Sequence, residues 1–581
     1  MAAPPLGFPR APEAVPPHAT RALAITSLGV LLAFVNASIV IISLPAIFRG
    51  LHLDPLRPGN VGYLLWMITG YLVVTSVLVV AAGRLGDLVG RARVYTAGFG
   101  LFTLGALLCA VDPASGGTGA LLLIGFRCLQ GVGGAALMAN STAILVDAFP
   151  AHRRGVAIGI NQVTAIAGSF AGLLIGGLLA DSGWRLVFFV SVPPGIAGTL
   201  WAWKSLRDNG LRRRVSLDLL GNITFAVGLV AILVAITYGI QPAGGHQNGW
   251  QSPFVLGSFA VGVGGLLAFT LIEARAESPM FDLRLFQIRA FTAGNLAGLF
   301  ASAARGGLQF ALILWLQGIW LPLHGYSFAS TPLWAGIYLL PLTVGFLIAG
   351  PVSGHLSDRF GARPFATAGM LLTAVSFALL LLLPINFDYR AFAALLVVNG
   401  LATGLFTSPN TTSIMNCVPA SERGIASGMR ATFQNSGQVL SIGLFFGLIA
   451  TGLSLTLPNA LQSGLVAHGV PVAAASHAAS GPAIGPLFAA FLGDNPVANL
   501  LGPATLHALP AGQAQVITGK AFFPQVLSGP FHEGLLLAFG AAILLCLLAA
   551  GASYLRGTDD RALDEVVGSL PASPALMETA R

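Results

Sequence analysis

Gly83-Arg84-Leu85-Gly86-Asp87-Leu88-Val89-Gly90-Arg91-Ala92-Arg93 is a polar turn between two long apolar runs, and it recurs as Gly354-His355-Leu356-Ser357-Asp358-Arg359-Phe360-Gly361-Ala362-Arg363. Each copy has Gly, then Asp four residues on, then Gly three later, with Arg close behind. A second pair of echoes, Pro150–Gly159 and Pro419–Gly428, follows in the same order at nearly the same offset, about 270 residues. Two echoes in register mean that one half of the chain repeats the other. Repeated halves made of membrane-spanning runs are the sequence mark of a secondary transporter.

Composition agrees. The 581 residues are 55% hydrophobic and 9% charged, with mean hydropathy +0.81. A soluble chain carries about 25% charged residues, so this one cannot cover a globular surface and takes the bilayer as its solvent. The net charge of +8 does not imply nucleic acid. The Arg and Lys residues are short clusters between apolar runs and form no basic face that could follow a phosphate backbone. Cys109, Cys128, Cys417 and Cys546 all lie inside apolar runs, so no disulfide is expected. His468, His477, His507 and His532 lack tight metal-ligand spacing. Neither a metal nor a cofactor is expected.

A bilayer crossing takes about twenty apolar residues. Fourteen runs qualify, at 21–46, 61–82, 94–111, 119–147, 155–180, 186–204, 218–239, 254–273, 291–317, 333–353, 364–384, 391–416, 424–453 and 534–555. Arg84, Arg91, Arg93, Arg153, Arg154, Lys204, Arg207, Arg212–Arg214, Arg275, Arg284, Arg289, Arg359, Arg363 and Arg423 fall on one side, and only Arg49, Arg57, Arg185, Arg390 and Lys520 on the other. The basic side is expected to be cytoplasmic, which puts both termini inside. The domain reading is a cytoplasmic tail at 1–20, a six-helix bundle at 21–204, a basic linker with two additional helices at 205–290, a second six-helix bundle at 291–555, and a tail at 556–581. The segment 454–533, rich in Ala, Gly, Pro and His, is expected outside as short helices and loops, a passive cover rather than a substrate lid.

The motifs carry a resemblance. Gly83–Arg93 resembles the loop motif between spans 2 and 3 of the major facilitator superfamily, and Gly354–Arg363 its copy. Arg127-x-x-Gln130-Gly131-x-Gly133-Gly134 resembles that family's fourth-span motif. Gly168, Gly172, Gly176 and Gly177 resemble the antiporter motif of span 5, although Leu173 stands where that pattern has Pro. Trp184-Arg185-x-x-Phe188 with Pro193 and Gly195, and Asp218-x-x-Gly221, are similar to the fourteen-span drug:proton antiporters. The resemblance implies an all-α major facilitator fold of two six-helix bundles plus two central helices. It also implies a multi-pass cell-membrane protein, not an enzyme, that exports small amphiphilic molecules by alternating access with proton antiport. An uncoupled facilitator, or a non-transporting sensor on the same fold, stays open.

Physical readings stand beside the resemblance. Gly83, Asp87, Gly90, Arg91 and Arg93, with Gly354, Asp358, Gly361 and Arg363, read as paired conformational latches. Glycine permits the tight turn and aspartate accepts from amides and arginine; a static turn is the bland alternative. Glycines at four-residue spacing in span 5 clear one helix face for close packing. Arg127 and Arg305 lie inside spans, where charge is costly and hence functional by default. Helix–helix glue is the alternative for both, and Arg430 can reach the cytoplasm. Arg127 is expected to face a polar cavity, where the resemblance links it to proton transfer. No Asp or Glu falls mid-span. In the fourteen-span antiporters span 1 has a carboxylate ahead of Leu-Pro; here that position is Asn36, which cannot titrate. Coupling candidates are therefore Asn36, Arg127, Gln130 and Arg305, with the edge acids Asp112 and Asp147. A cavity charged by arginine favours neutral or anionic amphiphiles. Its wall is expected to include Trp66, Tyr71, Phe310, Trp315, Gln317, Trp320, Trp334 and Tyr338. Packing within a monomer is expected.

Overall fold

The structure, a computed structural model, describes residues 16–557 except 55, 151–152, 181, 209–217, 240, 242, 244–248, 277–278, 280, 329, 420–422, 482–483 and 493–494. In lipid the backbone must satisfy its own hydrogen bonds, which long apolar runs do as helices. Fourteen helices are long and apolar enough to cross a membrane. They are α1 (Pro17–Gly50), α2 (Gly59–Val89), α3 (Arg91–Val111), α4 (Gly116–Ala148), α5 (Val156–Ala180), α6 (Trp184–Ser205), α7 (Leu219–Gly239), α8 (Pro253–Glu273), α9 (Arg289–Leu323), α10 (Thr331–Ser357), α11 (Ala362–Leu381), α12 (Tyr389–Asn416) and α13 (Ile425–Ala467). Four short helices follow, α14 (Val472–Ala479), α15 (Ile484–Phe491), α16 (Val497–Ala508) and α17 (Ala511–Ile517), before the last span, α18 (Phe522–Tyr554).

The duplication read from the loops is a duplication of packing. In the first half α1 lies on α5, and α2 and α3 lie on α4; in the second half α9 lies on α13, and α10 and α11 lie on α12. The halves meet along two equivalent seams, α2 against α13 and α5 against α10. The additional helices α7 and α8 pair with each other, and α7 leans on both α2 and α13, backing that seam. Gly90 (φ 124°) and Gly361 (φ 83°) occupy the same place in the two latch loops. Only glycine adopts that backbone without strain, which accounts for its position in both copies.

Two boundaries differ from the sequence reading. Span 13 is expected to end near 453 and span 14 to begin near 534; α13 instead runs to Ala467 and α18 begins at Phe522. Leu453, Leu457, Leu461 and Leu465 on α13 are all at most 2% exposed. This stripe at four-residue spacing packs inward although it lies beyond the expected bilayer length, so tertiary burial extends the helix. Helix α15 is buried as well, with Leu487, Phe488, Ala489, Ala490 and Phe491 at 3% or less.

Candidate functional site

A cavity of about 2060 Å³ lies between the halves, walled by α1, α2, α4 and α5 on one side and α9, α10, α12 and α13 on the other. It opens at the end carrying the latch loops, where Asp87, Arg91, Asp147, Lys204, Arg207 and Asp208 line its mouth. These three aspartates are the acids lining it among the described residues. Deeper in the wall the charged residues are Arg305 on α9 and Arg430 on α13, among Ser38, Gln309, Thr343, Asn399, Thr403 and Gln438. Phe34, Tyr71, Phe170 and Phe346 supply the aromatic surface.

Arg305 sits on the cavity face of α9. No hydrogen bond or ion pair to it occurs among the described residues, and its guanidinium lies 5.7 Å from the Phe346 ring centroid. Arg430 donates from Nη1 to Gln434 Oε1 at 2.9 Å, one turn along its own helix.

Arg127 is placed differently from the cavity-facing expectation. Arg127, Asn36 and Gln130 are at most 1% exposed and stand behind the wall, none lining the cavity. Arg127 Nη1 donates to Asn36 Oδ1 at 2.7 Å and to Gln130 Oε1 at 2.8 Å, and Nε donates to the Met67 carbonyl at 3.3 Å. Asn36 Nδ2 donates to Ser191 Oγ at 3.0 Å. Arg127 Nη2 and Gln130 Nε2 have no partner. The cluster is therefore a cation cage with two spare donors, assembled from α1, α2, α4 and α6. Its link to the cavity is Tyr71, which lines the wall and holds the Arg127 guanidinium 4.8 Å from its ring centroid. Ser191 escaped the sequence reading. The signal was the Pro193-Pro194 pair just after it, which marks the break in α6 where its hydroxyl turns inward.

The first latch is a charge network inside its own half. Arg91 donates to Asp87 Oδ1 at 2.8 Å and to both Asp147 oxygens at 2.8 and 2.9 Å, tying α2 and α3 to α4. Asp208 accepts from the Ala92 amide at 2.8 Å and lies 3.4 Å from Arg93 Nε. Gly83 and Gly354 lie in α2 and α10. In the second copy Arg363 sits 4.0 Å from the Tyr554 ring centroid on α18; the Asp358 side chain lies outside the described residues. Arg84, counted from the sequence only among the basic-side charges, makes a further tie. It donates to the Pro279 carbonyl and lies in the field of Glu273 and Asp218, so the end of the α7–α8 pair is tied to the first latch. Glu273, 2% exposed, accepts from the Phe281 amide at 3.0 Å.

The span-5 glycines act in packing. A Cβ at Gly168, Gly172 or Gly176 would stand 2.7, 2.5 or 2.9 Å from the carbonyl oxygens of Leu31, Val35 and Ile39 on α1. One at Gly177 would stand 2.6 Å from Leu333 Cα on α10. Of the aromatic and polar wall residues expected, Tyr71 alone lines the cavity. Phe310, Trp315, Gln317 and Trp320 are buried at the opposite end, where Trp320 stacks on Phe387 and Trp315 Nε1 donates to the Ile385 carbonyl at 3.1 Å. Trp66, Trp334 and Tyr338 are likewise off the wall. Together with α15 these rings close the far end. Phe488 stacks on Phe446 and Phe491 approaches Phe310, both of the second half, while the Gly485 backbone meets Leu56 beside α2 of the first.

The arrangement is a pocket between two repeated halves, open at the latch end, with packed rings at the other. Among the described residues no three His, Cys, Asp or Glu gather as a metal site.

A family model described as Major Facilitator Superfamily matches residues 26–217 and 219–442. The Multidrug transporter protein MdtP of Bacillus subtilis is 27% identical over 554 residues, 93% of this chain and 95% of that one. The Tetracenomycin C resistance and export protein of Streptomyces glaucescens is 30% identical over 555 residues, 94% of each chain. Among solved structures, a bacterial homolog of the human lysosomal transporter Spinster superposes with a TM-score of 0.56 at 16% identity, covering 94% of this chain and 98% of that one.

Proposed function

Because this chain belongs to the major facilitator superfamily, we propose that it exports small neutral or anionic amphiphiles from the cytoplasm by alternating access, in antiport with protons. The observation that carries the reading is the cavity: large, between repeated halves, open at the latch end, and carrying arginine but, among the described residues, no acid beyond its mouth. A relative described as a multidrug transporter and another described as a tetracenomycin C exporter support the substrate type.

The excess of arginine at the latch end supports a cytoplasmic orientation for it, so this conformation is inward-open. Substrate enters past Asp87, Arg91 and Asp147 and settles against Phe34, Phe170 and Phe346. The halves then rock about the α2–α13 and α5–α10 seams. Closure of the inner mouth requires the Arg91 network to rearrange; opening of the outer mouth requires α15 to leave α2. Small residues along the seams make such sliding inexpensive: Ser76 and Ser436 meet there through hydroxyls 3.0 Å apart.

Proton coupling runs, on this reading, through the Arg127 cluster. Neither Asn36 nor the spare N–H groups of Arg127 and Gln130 can take up a proton, so the cluster acts indirectly: those groups hold a water or substrate oxygen, which carries the exchanging proton. The acid-free depth of the cavity equally favours a second reading, uncoupled export down a gradient.

The test is flux in proteoliposomes, with and without an imposed pH gradient, for one cationic dye and one anionic amphiphile. Anion efflux accelerated by the gradient supports coupled export. Gradient-independent efflux selects the facilitator. Robust export of the cation, unaffected by substitution of Arg127 and Arg305, overturns the charge argument.

A further inference from the structure

We propose that the second-half wall of the cavity holds an anion subsite, in which Arg305 takes a carboxylate or sulfonate and Phe346 takes the aromatic ring that bears it. The subsite rests on the export reading for its purpose but not for its chemistry.

Three observations meet there. Arg305 is a cation on the cavity face of a mid-span helix, with no carboxylate against it among the described residues. A guanidinium exposed to the cavity, with no carboxylate beside it among the described residues, attracts an anion. The fork geometry of arginine suits two-oxygen headgroups. Phe346 lies under that guanidinium, so a ring attached to the anion finds an aromatic face beside it. Close packing of Gly400 against the Leu342 carbonyl and Phe346 amide then brings the neighbouring Asn399 and Thr343 into the same patch.

Those two residues belong to the wall beside Phe346. Thr343 is 5% exposed and Asn399 is 0% exposed; both line the cavity, and Thr343 Oγ1 and Asn399 Oδ1 have no hydrogen-bond partner. Asn399 Nδ2 donates to Ser376 Oγ at 2.7 Å, which fixes the amide and leaves Oδ1 as an acceptor. A buried polar atom without a partner is costly unless something fills it. The ligand class is thus an aromatic acid, its anion on Arg305 and its ring on Phe346. In the first half the mid-span Arg127 instead stands behind the cavity wall, with Nη1 donating to Asn36 and Gln130.

The test uses a matched pair of fluorescent probes, 8-anilinonaphthalene-1-sulfonate and N-phenyl-1-naphthylamine. They share rings and amine N–H and differ by the sulfonate. Binding to the purified full chain in nanodiscs is measured after subtraction of empty discs. The sulfonate is expected to bind at least about tenfold more tightly than its neutral partner. Arg305→Gln is expected to remove that tenfold preference, equivalent to about 1.4 kcal/mol, while neutral-probe affinity stays within about twofold. Arg305→Lys, which keeps the charge and loses the fork, falls between. Arg57→Gln, at an exposed site outside the cavity, is the control. No preference in the unaltered chain, or equal loss of both probes in Arg305→Gln, overturns the subsite. Because binding needs no flux, selective binding without transport removes the export reading and leaves the subsite. Transport with unselective binding does the reverse.

Discussion

Arg127 Nη1 and Asn36 Oδ1 stand 2.7 Å apart inside the first bundle, a charged donor on a neutral acceptor where an ion pair would fit the same space. Introducing the carboxylate therefore tests what its absence does. Asn36→Asp keeps the acceptor for Arg127 and loses the donation to Ser191. We expect a folded protein whose transport becomes more steeply dependent on outer pH, read in proteoliposomes by pH jump. An unchanged pH profile would count against a coupling role for the cluster.

Removing the cation is expected to cost structure as well as flux. Arg127→Met strands the Asn36 and Gln130 acceptors, which accounts for about 1–3 kcal/mol per buried group left unpaired. Thermal unfolding in detergent should shift down clearly, whereas Arg305→Met should leave stability nearly intact because its guanidinium pairs with no described side chain. Equal shifts for the two would show that the cage and the cavity arginine are not distinct environments.

The glycine face of α5 predicts a graded effect. A methyl at Gly172 would press the Val35 carbonyl from 2.5 Å, while Gly159 on the same helix has nothing within 4 Å. Gly172→Ala is expected to destabilise by about 1–3 kcal/mol through overpacking. Gly159→Ala is expected to be neutral or slightly stabilising. Melting temperatures of the pair, measured side by side, decide it.

The latch separates rate from stability. Arg91, Asp87 and Asp147 are each about one-third exposed, so their ion pairs contribute below about 1 kcal/mol. Arg91→Ala should barely move the melting temperature, yet change the flux rate severalfold by altering how the inner mouth rearranges. A static turn would leave both unmoved.

Helix α15 offers a covalent test of outer-mouth opening. A Cβ at Gly485 would lie 3.2 Å from Leu56 Cα, which puts the two backbones within the span of a disulfide, and Leu56→Cys with Gly485→Cys tests whether one forms. Oxidation should arrest transport and reductant restore it. The control bond, Gly318→Cys to Ala490→Cys, joins α15 to the second half and should be tolerated. Arrest by both bonds, or by neither, would refute the view that α15 travels with the second half.

The amino-acid sequence on its own determined the duplicated architecture, the fourteen spans and the membrane solvent. Each of these is set by local apolar length, charge spacing and repeated turns, which need no neighbour to be read. The two mid-span arginines show where that legibility stops. Arg127 and Arg305 look alike along the chain, but one is caged by residues from three other helices and the other faces an open pocket. A residue's burial belongs to whatever packs against it, and a helix turns 100° at each step, so only assembly of the bundle fixes which face meets solvent. The same reason placed Trp315 and Trp320 in the sealed end rather than the wall, and let the leucines of 453–465 carry α13 past bilayer length. Tertiary packing decided which charge is scaffold and which is site.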